Sequence, residues 1–213
     1  MYPIFEEAYM NDNNSDKELI WEEVSVEHIV NDEWIDFRRS AYRFPDGNVF
    51  EPYYSYSRRN YVVIVASDTE GNYLCVRQFR QGIKKVTVEF PAGGIEVKDS
   101  TGNAHDNNLS NNYKVDEKVA LEAAVRELKE ETGYVSDEWK HLITVPSNPT
   151  IADNYAYIFE AKNCRKVTEQ ELDDMEFLNV EKYNLCDIDT LINDGVFLQP
   201  MHIMALLMSK RKV

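Results

Sequence analysis

The most informative stretch of this sequence is RELKEETGY, which spans residues 126–134. It closes the best helical pattern in the chain, which predicts a helix from Asp116 to Thr132. Gly133 directly follows that pattern, as expected of the glycine that ends a helix in the left-handed conformation. The charged groups of this stretch therefore belong to a regular helix, so their relative directions can be worked out.

The last turns of this helix concentrate carboxylates on one face. At about 100° per residue, Glu127, Glu130 and Glu131 fall within about 100° of arc. The neighbouring face is predicted to be a core stripe, formed by Leu121, Ala124, Val125 and Leu128. Ala120 and Ala123 lie upstream on the acidic arc, and their small side chains leave room for a bulky group above it.

Two interpretations of the acidic face are open at this point. Like charges three and four residues apart destabilise a helix by only about 0.2–0.5 kcal/mol per pair, so a solvated acidic surface is tolerable. Arg126 can relieve one repulsion and can also reach Glu122, one turn earlier. The alternative is a divalent cation site, because clustered carboxylate oxygens are ligands that Mg²⁺ or Mn²⁺ prefers.

A second motif favours the cation site. Residues 89–96 read EFPAGGIE, and together with residues 126–134 they resemble the Nudix hydrolase signature Gx5Ex7REUxEExGU, where U is a bulky residue. The half written REUxEExGU is matched at every fixed position. In the first half, an Asn-rich insertion separates Gly94 from Arg126, and Lys118 stands where the family has a glutamate.

The wider sequence looks like the ADP-ribose pyrophosphatase branch of that family over residues 20–210. EFPAGGIE, RQFR at residues 77–80 and Pro149 after the signature all contribute to the likeness. The resemblance implies an α/β (α+β) fold, a Nudix-type α/β/α sandwich with a mixed sheet, preceded by a small N-terminal antiparallel β-sheet. It also implies a homodimer in which the N-terminal sheet contacts or swaps onto the partner.

The activity implied is hydrolysis of the pyrophosphate bond in a nucleoside diphosphate linked to another moiety, such as ADP-ribose or another nucleotide sugar. By similarity, Mg²⁺ or Mn²⁺ would be held by Glu127, Glu130 and Glu131, helped by the carbonyl of Ala92 and by Glu96. Such chemistry depends on neutralising charge and positioning a water molecule.

The resemblance also assigns catalytic roles. Glu130 and Glu131 act at the reacting centre, and Arg126 orients the carboxylates around the cation. The loop after the signature lacks the glutamate that often serves as general base in this branch. Asp153 is the candidate for that role, and a glutamate of the helix is the alternative.

Substrate binding is assigned to Arg80, Arg77, Glu89 and Trp21. Arg80 would contact the diphosphate through its fork of donors, although an exposed strand arginine is the plain alternative. Trp21 would stack on the base, with Trp34 and Tyr53 as alternatives. Aromatic residues in a β segment also serve as core or interface residues.

The rest of the chain reads as strands and two helices. Residues 21–56 predict the small sheet, with a hairpin at Asp46-Gly47. Further strands are predicted at 61–66, 73–80, 86–91, 139–145, 155–161 and 177–183, and helices at 189–193 and 200–210. The predicted domains are 1–57, with 1–18 frayed, and 58–213, interrupted by an exposed insertion loop at 97–115.

Composition excludes several classes of function. With 23 basic and 38 acidic residues, the net charge of −15 argues against nucleic acid and anionic membranes as partners. No apolar run is long enough for a transmembrane helix. The three cysteines are widely spaced and lack a zinc pattern, which favours reduced thiols and a cytoplasmic location.

Two alternatives to an enzyme stay open. Lys118 and the missing glutamate motivate a catalytically impaired Nudix-fold protein that binds or senses a nucleotide. A protein whose acidic helix is only a solvated face would instead serve structure or interaction.

Overall fold

The computed structural model describes residues 16–96, 114–173 and 176–211. After a 3₁₀ turn at Lys17–Leu19, these ranges form two β-sheets and three α-helices. The elements, in chain order, are β1 (Glu22–Asn31), β2 (Asp36–Arg43), β3 (Val49–Ser57), β4 (Tyr61–Asp68), β5 (Tyr73–Arg80), β6 (Lys85–Glu89), β7 (Ala92–Gly94), α1 (Glu117–Thr132), β8 (Tyr134–Val135), β9 (Glu138–Pro146), β10 (Tyr155–Lys166), β11 (Leu178–Tyr183), α2 (Leu185–Asn193) and α3 (Pro200–Ser209).

The N-terminal strands form a separate antiparallel sheet in the order β1-β2-β3. The predicted hairpin joins β2 to β3, and Gly47 takes the positive φ of 88° that the turn requires. β1 is exposed along its whole length. The small N-terminal sheet predicted from the sequence is therefore confirmed.

The second sheet has eight strands and is mixed. Its main path is β11-β5-β4-β10-β8, with β6 on β5, β7 on β4 and β9 on β10. β4 and β10 run parallel, whereas the other pairs are antiparallel. The sequence did not reveal β7 and β8, because strands of two or three residues leave no period to read.

β4 lies at the centre of this sheet and is buried on both faces. Val62, Ile64 and Ala66 pack toward α1, while Val63 and Val65 pack against the core shared with α2 and α3. Successive side chains of a strand point to opposite faces, so one strand serves both cores. This arrangement is the predicted α/β/α sandwich.

Helix α1 has the predicted ends but a different buried face. The Asp116 side chain accepts a hydrogen bond from the Lys118 amide, and Gly133 is left-handed with φ 75°. Val125 is 41% exposed, so its place in the predicted core stripe was wrong. The buried residues of α1 are Ala120, Ala123, Ala124, Glu127, Leu128, Glu131 and Thr132. The buried face is therefore rotated toward the acidic arc.

Several other predictions are corrected or left open. α2 begins at Leu185, before the predicted start, because Asn184 and Asp187 form a capping box there. The predicted insertion loop lies outside the described residues at 97–113, as does 1–15 of the predicted frayed end. The division at residue 57 stays a prediction. No helix in the described ranges is long and apolar enough to cross a membrane.

The small sheet is attached to the loop between β9 and β10. The amide of Tyr56 donates to the carbonyl of Ile151 at 2.8 Å. Arg38 and Ser57 both donate to the Asp153 carboxylate, the arginine at 3.1 Å. These contacts hold the end of the small sheet beside the mixed sheet, where the two form a cleft.

Candidate active site

The segment Ala92–Gly94 packs its backbone directly on the acidic face of α1. The Ala92 amide donates to Oε2 of Glu131 at 2.9 Å, and Arg126 donates to the Gly94 carbonyl at 3.1 Å. A Cβ on Gly93 would lie 2.0 Å from Cδ of Glu127, which is closer than any side chain tolerates. Glycine at this position is therefore what allows the backbone to reach the carboxylates.

The carboxylates differ in their surroundings. Glu127 and Glu131 are buried, whereas Glu130 is about one-third exposed. Arg126 donates to both Glu127 and Glu130 at 2.6 Å. The predicted contact from Arg126 back to Glu122 is not formed, since Glu122 faces Lys118 at 4.0 Å. Arg126 thus joins two of the three α1 carboxylates among the predicted ligands.

Burial makes it costly for Glu127 and Glu131 to carry a negative charge. It raises the pKa of Glu127 to about 7, although Arg126 opposes the rise. It also raises the pKa of Glu131 well above its usual value, although the Ala92 amide opposes this, and the charge of Glu127 adds to the rise. A nearby cation would stabilise the ionised forms of these two carboxyl groups.

The donor set fits a divalent cation by chemical type. Carboxylate oxygens and the backbone oxygen of Ala92 are the hard ligands that Mg²⁺ takes. Within the described ranges, however, no three His, Cys, Asp or Glu side chains are grouped closely enough to hold a metal ion as they stand. Glu96 is exposed at the end of the segment. Binding a cation would thus need these carboxylates to move closer together.

A cleft of about 480 Å³ opens over this segment. One wall comes from the small sheet and the residues that follow it: Glu33, Trp34, Tyr56, Arg58 and Arg59. The remaining lining residues are Tyr61, Arg80, Ala92, Gly93, Gly94, Ser147, Asn154, Gln199 and His202. The cleft thus gathers Arg58, Arg59 and Arg80 beside one carboxylate, Glu33, in a chain whose net charge is −15.

Arg80 enters this cleft while bound to Glu89. Its Nε donates to Oε1 of Glu89 at 3.0 Å, and its Nη2 donates to Oε2. Burial alone would raise the pKa of the Glu89 carboxyl, but the charge of Arg80 and the hydrogen bonds from Arg80 and Thr87 hold it below its usual value. Glu89 is 1% exposed and so meets a ligand through Arg80 rather than directly.

Of the predicted site residues, Arg80 and Ala92 line the cleft, and the carboxylates of α1 lie against the segment Ala92–Gly94 without lining it. Arg77, Asp153 and Trp21 lie elsewhere. Arg77 donates to Glu181 at 2.7 Å and to the hydroxyl of Tyr183 at 3.1 Å, both on β11. Asp153 and Trp21 line a second cavity of about 270 Å³, with Asp153 paired to Arg38. The structure does not bring these side chains together with the carboxylates of α1.

The sequence reading missed several cleft residues. Arg58 and Arg59 immediately precede the buried strand β4, and that position at a strand end was an available signal. Arg59 lies over the ring of Trp34, 5.7 Å from its centroid. His202 gives no signal in the sequence, because the apolar helix pattern around it is typical of core packing.

Comparisons with known proteins agree with this architecture. The family model of the NUDIX domain matches residues 57–200. The chain is 30% identical to the ADP-ribose pyrophosphatase of Bacillus subtilis (strain 168) over 132 residues, 62% of this chain and 61% of that protein. It is 30% identical to the methanol dehydrogenase activator of Bacillus methanolicus over 125 residues, 58% of this chain and 57% of that protein. The chain thus spans about three fifths of these relatives.

A solved structure extends the likeness of the fold. The crystal structure of ADP compounds hydrolase superposes with a TM-score of 0.67, covering 90% of this chain and 94% of that one. Sequence identity is 19%, so this match concerns the fold alone.

Proposed function

This chain belongs to the NUDIX family, and from that premise we propose that it is a divalent-metal-dependent pyrophosphohydrolase. Its substrate is a nucleoside diphosphate linked to another moiety, with ADP-ribose or another nucleotide sugar as the first candidate. The similarity to the Bacillus subtilis ADP-ribose pyrophosphatase supports this choice. Nucleic acids and membranes are not expected partners.

One observation carries the proposal. A cleft lined by three arginines lies directly over a segment that packs on two buried carboxylates. Arginine forks bind phosphate oxygens, and buried carboxylates bind a cation that phosphate also binds. A ligand with several phosphate charges can use both features at once, and a pyrophosphate has that character.

The roles of the residues follow from their contacts. Glu127, Glu130, Glu131 and the carbonyl of Ala92 would hold Mg²⁺ or Mn²⁺, which supplies charge neutralisation and a more acidic bound water. Arg126 orients Glu127 and Glu130 through its 2.6 Å hydrogen bonds.

The remaining roles concern the substrate. Arg80 binds the diphosphate, and Trp34, exposed in the cleft, offers a face for the base. The engagement of Asp153 by Arg38 supports a helix glutamate as the proton acceptor instead.

The test is hydrolysis of ADP-ribose, other nucleotide sugars and dinucleotides with Mg²⁺ and with Mn²⁺. Glu131→Gln is expected to lower kcat about 10³-fold, a loss of roughly 4 kcal/mol of transition-state stabilisation. Glu122→Gln, an exposed change on the same helix, is the matched control and should keep wild-type activity. Background rates for the wild-type protein on the whole panel would refute the proposal.

We further propose that the protein is a homodimer formed through the small sheet. β1 is exposed along its length and carries four apolar residues that are 42–47% exposed: Val24, Val26, Ile29 and Val30. β1 is an edge strand of the three-stranded sheet, with β2 on one side, and an exposed edge strand with apolar side chains invites pairing with a second copy. Sedimentation should show a dimer that Val26→Glu dissociates, whereas Val167→Glu, an equally apolar exposed site, leaves it intact. A monomeric wild-type protein would contradict this.

A further inference from the structure

His202 occupies an unusual place for a histidine. It lies on α3, is 1% exposed, and still forms part of the wall of the cleft. Its Nδ1 accepts the amide hydrogen of Phe90 at 3.0 Å, and its ring stacks parallel to that of Phe90. Because Nδ1 accepts a hydrogen bond, the proton of the neutral ring is on Nε2. Burial lowers the pKa of His202 to about 4, which keeps the ring neutral.

The proton on Nε2 faces a buried carboxylate. Nε2 lies 3.9 Å from Oε2 of Glu89, which is 1% exposed. The other contacts of Glu89 come from Thr87, at 2.7 Å, and from the fork of Arg80. Arg80 and Thr87 hold Glu89 by hydrogen bonds, while the Nε2–H of His202 faces the same carboxylate as an electrostatic contact that is too long for a hydrogen bond.

This chain of contacts sets the direction of Arg80. Its Nε and Nη2 are engaged by Glu89, so the guanidinium cannot rotate without breaking two charge-assisted hydrogen bonds. A side chain ordered before the ligand arrives loses less entropy on binding than a free arginine does. The anchor of this ordering is Glu89, and the group that supports Glu89 from α3 is His202.

We propose that His202 is a positioning residue that acts through Glu89 to hold Arg80 in the orientation that binds the substrate diphosphate. The inference rests on the proposed function, because it assigns Arg80 to a pyrophosphate ligand. In this assignment His202 acts through Glu89 and not by binding the substrate or the cation itself. Its Nδ1 also fixes the backbone at Phe90, two residues before Ala92.

A double-mutant cycle tests this coupling. His202→Asn keeps an acceptor near the Nδ1 position and removes the Nε2 donor. It is expected to lower kcat/KM about tenfold, which lies within the range of coupling energies found between residues of one polar network. In the Arg80→Lys background the same change should alter kcat/KM by no more than about twofold. An equal loss in both backgrounds would overturn the inference.

Two further variants separate positioning from stability. His202→Gln keeps an N–H group near Glu89 and loses the acceptor for Phe90, so its kcat/KM should exceed that of His202→Asn. Leu207→Asn, on the exposed face of α3, controls for a polar change in this helix and should keep wild-type kinetics. Equal losses for His202→Gln and His202→Asn would show that Nε2 is not the acting group.

A readout without turnover distinguishes the two proposals. The Arg80 Nε–H signal in a ¹H–¹⁵N spectrum, assigned by its loss in Arg80→Lys, should be sharp in the wild-type protein and broadened by exchange in His202→Asn. An unchanged signal would overturn the inference even in an active enzyme. Wild-type protein inactive on every nucleotide would refute the proposed function, while the broadened signal would still support the coupling.

Discussion

Glu127→Gln is expected to stabilise the metal-free protein above pH 7, although it removes a predicted cation ligand. The carboxyl is buried and its pKa is raised from 4.5 to about 7, which at about 1.36 kcal/mol per pH unit amounts to about 3 kcal/mol. A group with a raised pKa binds its proton more tightly in the folded state, so stability falls as pH rises from 4.5 to 7. The amide of the variant does not titrate and avoids this loss.

The measurement is urea unfolding in EDTA at a series of pH values. The difference in free energy of unfolding, variant minus wild type, should be smallest below pH 4.5 and rise between 4.5 and 7. It should not fall above pH 7, because the charge of Glu127 also raises the pKa of Glu131 in the wild-type protein. Titration of His202 contributes equally to both proteins and cancels. Glu122→Gln, an exposed change on the same helix, is the matched control and should leave the free energy of unfolding within about 0.5 kcal/mol of the wild type. A variant less stable than wild type at pH 8, or a difference that does not change with pH, would refute the reasoning.

Further predictions concern the close approach at Gly93, the second cavity and the charge of the cleft. Gly93→Ala should destabilise the protein by about 1–3 kcal/mol in urea unfolding because its Cβ would overlap Glu127. Gly82→Ala, where nothing lies within 4 Å, should change stability by less than about 0.5 kcal/mol. Asp153→Asn should keep kcat within about threefold of wild type, since Asp153 lines the second cavity; a loss like that of Glu131→Gln would restore it as the general base. KM for ADP-ribose should rise between 50 and 500 mM salt, because ions screen the arginines of the cleft; a constant KM would contradict an electrostatic contribution.

The fold was predictable because its strongest signals are local. β4 is a continuous apolar run, α1 has a cap at each end, and the hairpin of the small sheet has its glycine. The error at Val125 has a physical cause. The predicted core stripe of α1 follows from hydrophobicity alone. In the structure the backbone of Ala92–Gly94 covers the acidic side of the helix, so Val125 is left exposed. A segment far away in sequence decided which face is buried.

The site was predictable where it coincides with the helix and less so elsewhere. Arg77 and Arg80 are three residues apart on β5, so they point to opposite faces of the sheet. The spacing is visible in the sequence, and it indicates that only one of the two arginines can face a site on one side of the sheet. The placement of Asp153 was not visible, because it depends on Arg38 and Ser57, about one hundred residues earlier in the chain.

The shared wall of the cleft has a thermodynamic consequence. Glu33, Trp34 and Tyr56 come from the same small sheet whose β1 is proposed to pair with a second copy. If association shifts that sheet, it changes affinity for substrate, and by reciprocity substrate then changes the association constant by the same factor. Protein concentration would then act as an effector, and specific activity would vary as the enzyme is diluted through its dissociation range.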